Sequence, residues 1–332
     1  MAELTHRVPS FHKRRNTVET CFFVEEGEEL PSVVHLDHPT DADLFSRLRH
    51  TNARFSGPSN PNTPARPTKP AKLVKPAMQT LQALVKRSTK AAQSAALKQP
   101  SAQKPAVSEV QRARFIDRFI ELLNTFGHSE ATLFRAVHIV DRFAAGSQRP
   151  LTKNTFQLSS LVALRLAAKL EETRPMKLNA FLENAVKNKF PKTELVRWEL
   201  EVLGAGDFAL SAPTEIELLL AALDALELRN EDLKQAALRL VRLCLFCLDT
   251  RSEFLTTEIT AFALIYAMRA TSVCDGPSFD ATVQQVIVAF SLDNEDLVAK
   301  LGRFFAAVGS FGEKYSFLRN ISSATLVTKN AN

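Results

Sequence analysis

Between Asp43 and Glu109 the sequence contains no acidic residue, over a stretch where proline recurs at positions 58, 61, 64, 67, 70 and 76. Such a segment cannot bury enough apolar surface to offset its chain entropy, so residues 1–107 read as a basic, largely disordered tail. The tail also holds the charge. Residues 1–107 carry 16 Lys/Arg against 9 Asp/Glu, whereas residues 108–332 carry 26 against 27. One island interrupts it, "KLVKPAMQTLQALVKRSTKAA", in which Leu73, Met78, Leu81, Leu84 and Val85 approach helical spacing. That spacing predicts a short docking helix near residues 72–92.

Other scarcities exclude whole classes of chemistry. Four cysteines in 332 residues make no disulfide framework. Cys244 and Cys247 form a CxxC, but they sit in the apolar run "LVRLCLFCLD" without a second Cys or His pair at ligand spacing. They read as buried thiols. The seven histidines are scattered, and none of the ten glycines clusters after a strand, which leaves no phosphate loop or dinucleotide fingerprint. No nucleophile elbow or metal-spaced His/Glu pair occurs. No catalytic residue, metal or cofactor is expected. The longest apolar runs, such as "ITAFALIYAM", fall far short of the ~20 residues that span a bilayer. The opening "MAELTHRVPSFHKRR" lacks the continuous apolar centre of a signal peptide, so the expectation is a soluble intracellular protein.

What is present is helical periodicity. From about Val107, apolar segments alternate with short breaks such as "FGHSE", "AGSQRP", "ETRP" and "LSAPTE". Val110–Phe126, Ala131–Ala144, Phe156–Glu172, Leu178–Asn188 and Lys192–Ala205 read as helices. A second set follows at Glu215–Ala225, Asn230–Asp249, Thr256–Thr271, Asp280–Ala289 and Asp293–Val308. Five helices followed by five more of similar length predict an all-α chain built from two copies of one helical module, at residues 108–211 and 212–312, with a tail over 313–332.

The order of particular residues narrows this further. "QRARFIDRFIELLNTFGHSEATLFRAVHIVDRF", then "FQLSSLVALRLAAKLEE" and "ELVRWELEVLGAGDFALSAPT", resembles the cyclin box of mitotic A- and B-type cyclins. The likeness covers about residues 108–322 and closes on "EKYSFLRNISS". It implies two tandem five-helix cyclin boxes and a regulatory subunit that binds and activates a cyclin-dependent kinase without an active site of its own. It also implies a buried structural pair at Arg112 and Asp141. The kinase-facing set falls on Leu158, Ala167, Ala168, Lys169, Glu172 and Glu199. The small side chains of Ala167 and Ala168 read as room for a partner helix. Lys169 donors and Glu199 acceptors read as grips on backbone ends of that helix.

In the family, a shallow apolar patch on the first helix docks Arg-x-Leu motifs of substrates and inhibitors. Here its positions are Gln111, Arg114, Phe115 and Arg118, of which Phe115 alone is apolar, while Glu121 and Gln157 are retained. The resemblance therefore implies an altered docking patch. Residues 1–107 contain no Arg-x-x-Leu destruction box and no Lys-Glu-Asn motif. They do contain "TPAR", Thr63 to Arg66, with proline after the hydroxyl and a basic residue two further on, a candidate phosphosite at Thr63. Phosphate there adds about −1.5 to −2 charge to a basic stretch. "HKRR" at 12–15 suggests nuclear import, and the expectation is a protein of nucleus and cytoplasm.

Two other functions compete. A nucleic-acid-binding factor of the TFIIB type shares the cyclin fold and would use the basic tail. Against it, the helical part is near neutral, and phosphate contacts need cations gathered on a folded face. A divergent cyclin that binds a kinase without activating it is the third reading. The Lys169/Glu199 pair separates the first two, because a DNA-binding cyclin fold has no reason to keep it.

Overall fold

The computed structural model describes residues 76–96 and, with short breaks, 108–314; all of them fall in one compact unit. Thr63, residues 12–15 and most of the 313–332 segment lie outside the described residues. Among the described residues every regular element is helical. The helices are α1 (Pro76–Ala96), α2 (Glu109–Phe126), α3 (Glu130–Gly146), α4 (Lys153–Glu171) and α5 (Leu178–Phe181), the last continuing as a π-helical turn over Leu182–Val186. They continue as α6 (Lys192–Ala205), α7 (Glu215–Ala225), α8 (Glu231–Phe246), α9 (Leu248–Glu253), α10 (Thr256–Ala270), α11 (Pro277–Phe290), α12 (Leu297–Gly309) and α13 (Phe311–Lys314).

Local chemistry sets most of the boundaries. Ser108 caps α2 by accepting from the Gln111 amide at 3.2 Å, while the Gln111 side chain reaches back to the Ser108 amide. At the other end Gly127 takes φ 66°, a left-handed conformation that costs glycine nothing, and its amide closes the last turn on Asn124 and Leu123 carbonyls. Asn230 caps α8 through the Leu233 amide. Gly146 has a different reason: a β-carbon there would meet the Ala205 carbonyl oxygen at 2.3 Å, so the ends of α3 and α6 touch backbone to backbone.

Two helices are enclosed along their middle stretches. Buried residues run unbroken over Phe156–Leu164 in α4 and Ile259–Ile265 in α10, which a helix with one wet face cannot do. Around α4 pack α2, α3 and α6; around α10 pack α7, α8, α11 and α12. The second core is knit by Phe254, Phe262 and Phe304, whose rings meet edge to face at 5.6–5.8 Å.

Two expectations need correction. The segment Asn230–Asp249 is not one helix: the chain extends at Cys247 (φ −83°, ψ 106°) and restarts as α9. The carbonyls of Leu245 and Phe246, which a continued helix would have used, accept instead from the Arg112 guanidinium at 2.7 and 3.2 Å. The Leu248 amide turns to Glu109 at 3.1 Å. The second correction concerns the tail. The docking helix expected near 72–92 is a 21-residue helix over Pro76–Ala96 and belongs to the folded part rather than to the tail, with Leu81 and Val85, one turn apart, buried against α7, α10 and α11. Arg87 fastens the helix by donating to the Ser211 carbonyl at 2.8 Å.

Leu81 is fully buried. Leu81→Ala should therefore cost about 2–5 kcal/mol, the range for emptying a packed leucine site. A lower Tm together with earlier protease cleavage around α1 is the expected result. An unchanged Tm would mean that α1 does not belong to the cooperative unit.

Candidate functional site

Four charged side chains join the two helix sets. Arg112 forks onto Asp141, Nε to Oδ1 at 2.8 Å and a terminal nitrogen to Oδ2 at 2.7 Å. Arg251 of α9 then shares Asp141 Oδ2 at 2.9 Å and reaches Glu215 of α7 at 2.6 Å. The sequence reading named Arg112 and Asp141 but not Arg251 or Glu215, because nothing in the local pattern marks a partner 110 residues away. Burial alone would raise the Asp141 carboxyl, but the charges and hydrogen bonds of Arg112 and Arg251 outweigh it and hold it below the usual range. His138 shares this junction, facing Glu215, Arg251, Asp141 and Arg135, and burial pushes its imidazole below the ordinary value.

A second clasp lies beside the first. Arg135 is buried and donates to Glu171 at 2.6 Å, to the Leu210 carbonyl at 3.0 Å, to the Ala212 carbonyl and to Glu217 at 3.1 Å. Glu217 also accepts from the amide and hydroxyl of Thr214, capping α7. One arginine therefore ties α3, the end of α4, the connection between helix sets and α7 together. These contacts are scaffold.

The residues expected to face a kinase divide sharply. Lys169 at the end of α4 and Glu199 of α6 meet: the ammonium lies 2.9 Å from each carboxylate oxygen. Arg165, one turn earlier on α4, also bonds Glu199. Leu170, Val196 and Leu200 flank the cluster and stay exposed, at 53%, 46% and 65%.

Leu158, Ala167 and Ala168 do not belong to that surface. All three are buried in the chain's own core, so the reading of the alanines as room for a partner helix is corrected. Their small size admits the chain's own helices around α4. Glu172 is likewise committed. Its Oε1 accepts from the Ser129 amide at 2.7 Å, the Ser129 hydroxyl at 2.8 Å and the Thr132 hydroxyl at 2.5 Å, capping α3 from a distance. Burial opposes its ionisation, but these hydrogen bonds prevail and lower its pKa. Glu172→Ala should cost about 1 kcal/mol by uncapping α3. Thermal unfolding tests this; a cost below a few tenths would show the amide satisfied by water alone.

The altered docking patch is also internally engaged. Gln111 serves the α2 cap, and Arg118 pairs with Glu121 on the same helix. Phe115 is half-buried and sets its ring edge to face on Phe156 at 5.3 Å. Gln157 is buried and accepts from Lys189 at 3.1 Å. Among the described residues Cys244 and Cys247 are buried free thiols, and burial pushes the Cys244 thiol far up. Glu109, Cys247 and Asp249 converge within 4.8 Å. The Lys314 ammonium already sits there, 2.8 Å from Glu109 and 3.2 Å from Asp249, so the donors have a resident cation.

Residues 80–211 match the family model for the cyclin N-terminal domain, a span that begins within α1. A putative cyclin-B3-1 of Arabidopsis thaliana is 32% identical over 139 residues, 42% of this chain and 34% of that protein. A putative cyclin-A3-1 of the same plant is 29% identical over 167 residues, 48% of this chain and 45% of that protein. The chain thus matches less than half the length of each. In fold it is similar to a viral cyclin from herpesvirus saimiri, with a TM-score of 0.51 at 16% identity, covering 67% of this chain and 97% of that one.

Proposed function

We propose that this chain, which resembles A- and B-type cyclins and matches the cyclin N-terminal domain model over residues 80–211, is the regulatory subunit of a cyclin-dependent Ser/Thr protein kinase. It binds through the α4–α6 face of a first box at residues 108–211, a second box at 212–312 serving as its support. The observation that carries this reading is the Lys169–Glu199 pair, already formed in the free chain and bordered by Leu170, Val196 and Leu200. Pre-pairing fixes both side chains before the partner arrives, so less rotamer freedom is lost on binding. The apolar border supplies burial, and the charged pair supplies register.

Activation in this reading is allosteric. Contacts made here favour one orientation of a bistable helix in the kinase, and the chain contributes no reacting group. A role in mitotic progression, residence in nucleus and cytoplasm, and phosphorylation at Thr63 belong to the same proposal. No helix among the described residues is long and apolar enough to cross a membrane. The test is kinase activity on a histone substrate in a pull-down with the full chain. Activity above a mock pull-down supports the reading, and retention on DNA that vanishes with added salt, without kinase activity, favours the nucleic-acid alternative.

A further inference from the structure

The face that carries Lys169 holds two cations for one carboxylate. Arg165 and Lys169 stand one turn apart on α4, and both donate to Glu199 of α6. Arg165 is the one residue that interrupts the buried run from Phe156 to Ala168, and its side chain is only 13% exposed. Glu199 is 14% and Lys169 38% exposed. The buried Nε of Arg165 has no hydrogen-bond partner among the described residues. Burial lowers the pKa of Lys169, and the neighbouring Arg165 charge lowers it further. A partner laid over Leu170, Val196 and Leu200 would remove the remaining water from this cluster.

A lone Lys–Glu pair is neutral and needs only a backbone carbonyl or amide from whatever covers it. Two cations and one carboxylate leave a net positive charge, and taking an uncompensated charge out of water is costly unless an anion comes with the partner. The guanidinium favours a carboxylate in particular, because its planar fork matches one.

We propose, resting on the kinase-binding reading, that this face selects a partner segment bringing an Asp or Glu side chain against Arg165 and Lys169. The carboxylate completes a network of two cations and two anions, and Arg165 is the residue that sets this preference.

The probe is a panel of purified cyclin-dependent kinases, with affinities measured by calorimetry against the full chain and against Arg165→Leu. For a kinase that binds, each acidic residue on its contact surface is changed to the matching amide. The expected result is one acidic position whose substitution weakens binding to the wild-type chain about 30-fold and to Arg165→Leu less than about 3-fold. Arg165→Gln replaces Arg165→Leu if the latter lowers Tm. If a kinase binds but no acidic position couples to residue 165, the inference is overturned while the kinase-binding reading stands. If no kinase binds the wild-type chain, both fall.

Discussion

The Lys169→Ala, Glu199→Ala double variant is expected to lose the kinase activity that accompanies the wild-type chain. In a dry interface, removing one member of a hydrogen-bonded charged pair costs about 2–5 kcal/mol, roughly 30-fold to several thousand-fold in affinity. The structure adds a control. Removing Glu199 strands the Arg165 guanidinium, which is largely buried, so the double variant should also lose stability. Lys169→Ala alone leaves the Arg165–Glu199 bond intact and should fold normally. A Lys169→Ala chain with wild-type Tm and lost activity would place the effect at the interface. Full activity in a folded double variant would remove this face from the account.

Asp141→Ala should be the most destabilising of these changes. It leaves the buried Arg112 without a carboxylate and beside Arg251, which keeps Glu215 alone. Breaking such a pair from one side costs about 3–5 kcal/mol. For a folded part of this size that corresponds to a fall in Tm of roughly 10 °C. Changing Arg112, Asp141, Glu215 and Arg251 together to apolar residues should be milder, since no charge of the junction is then left alone. A single-site loss under about 1 kcal/mol would mean that water reaches the junction.

The same junction sets an acid sensitivity. The Asp141 pKa is depressed in the folded state, so its stabilisation is present above the unfolded carboxylate value and is lost as pH falls through the folded one. His138 is also depressed by burial, so the unfolded chain takes up its proton first once pH drops below about 6.5. Both shifts act in one direction. Stability should begin to fall below about pH 6.5 and fall again in the carboxylate range, where Asp141 and Glu172 both contribute, and Asp141→Asn should shrink the later step.

Much of the helical order was legible because apolar spacing is a local property. Lys192–Ala205 and Glu215–Ala225 have the boundaries read from periodicity, and α2 differs by one residue at its start. The break at Cys247 was not legible, since its cause is Arg112, 135 positions earlier. Helix α1 was only half legible: Leu81 and Val85 were seen, but the lysines and prolines around them diluted the signal that they enter a core. The segment AAKLEE, residues 167–172, misled in an instructive way. Its alanines and its second glutamate carry no mark saying which face looks inward, and the packing of neighbouring helices around α4 decided that Ala167 and Ala168 face the chain itself.

By itself, then, the amino-acid sequence determined the helix register, the neutral helical part against the basic tail, and the residue types around Lys169 and Glu199. Periodicity, charge and residue identity are all properties of neighbours along the chain. Tertiary structure alone decided that Glu199 receives both Arg165 and Lys169, that Arg251 and Glu215 extend the Arg112–Asp141 bridge, and that Glu172 turns back to cap α3. Each of those joins groups more than 30 residues apart except Lys169 and Glu199, which stand at 30. Such pairings follow from how enclosed helices stack, and no local pattern encodes them.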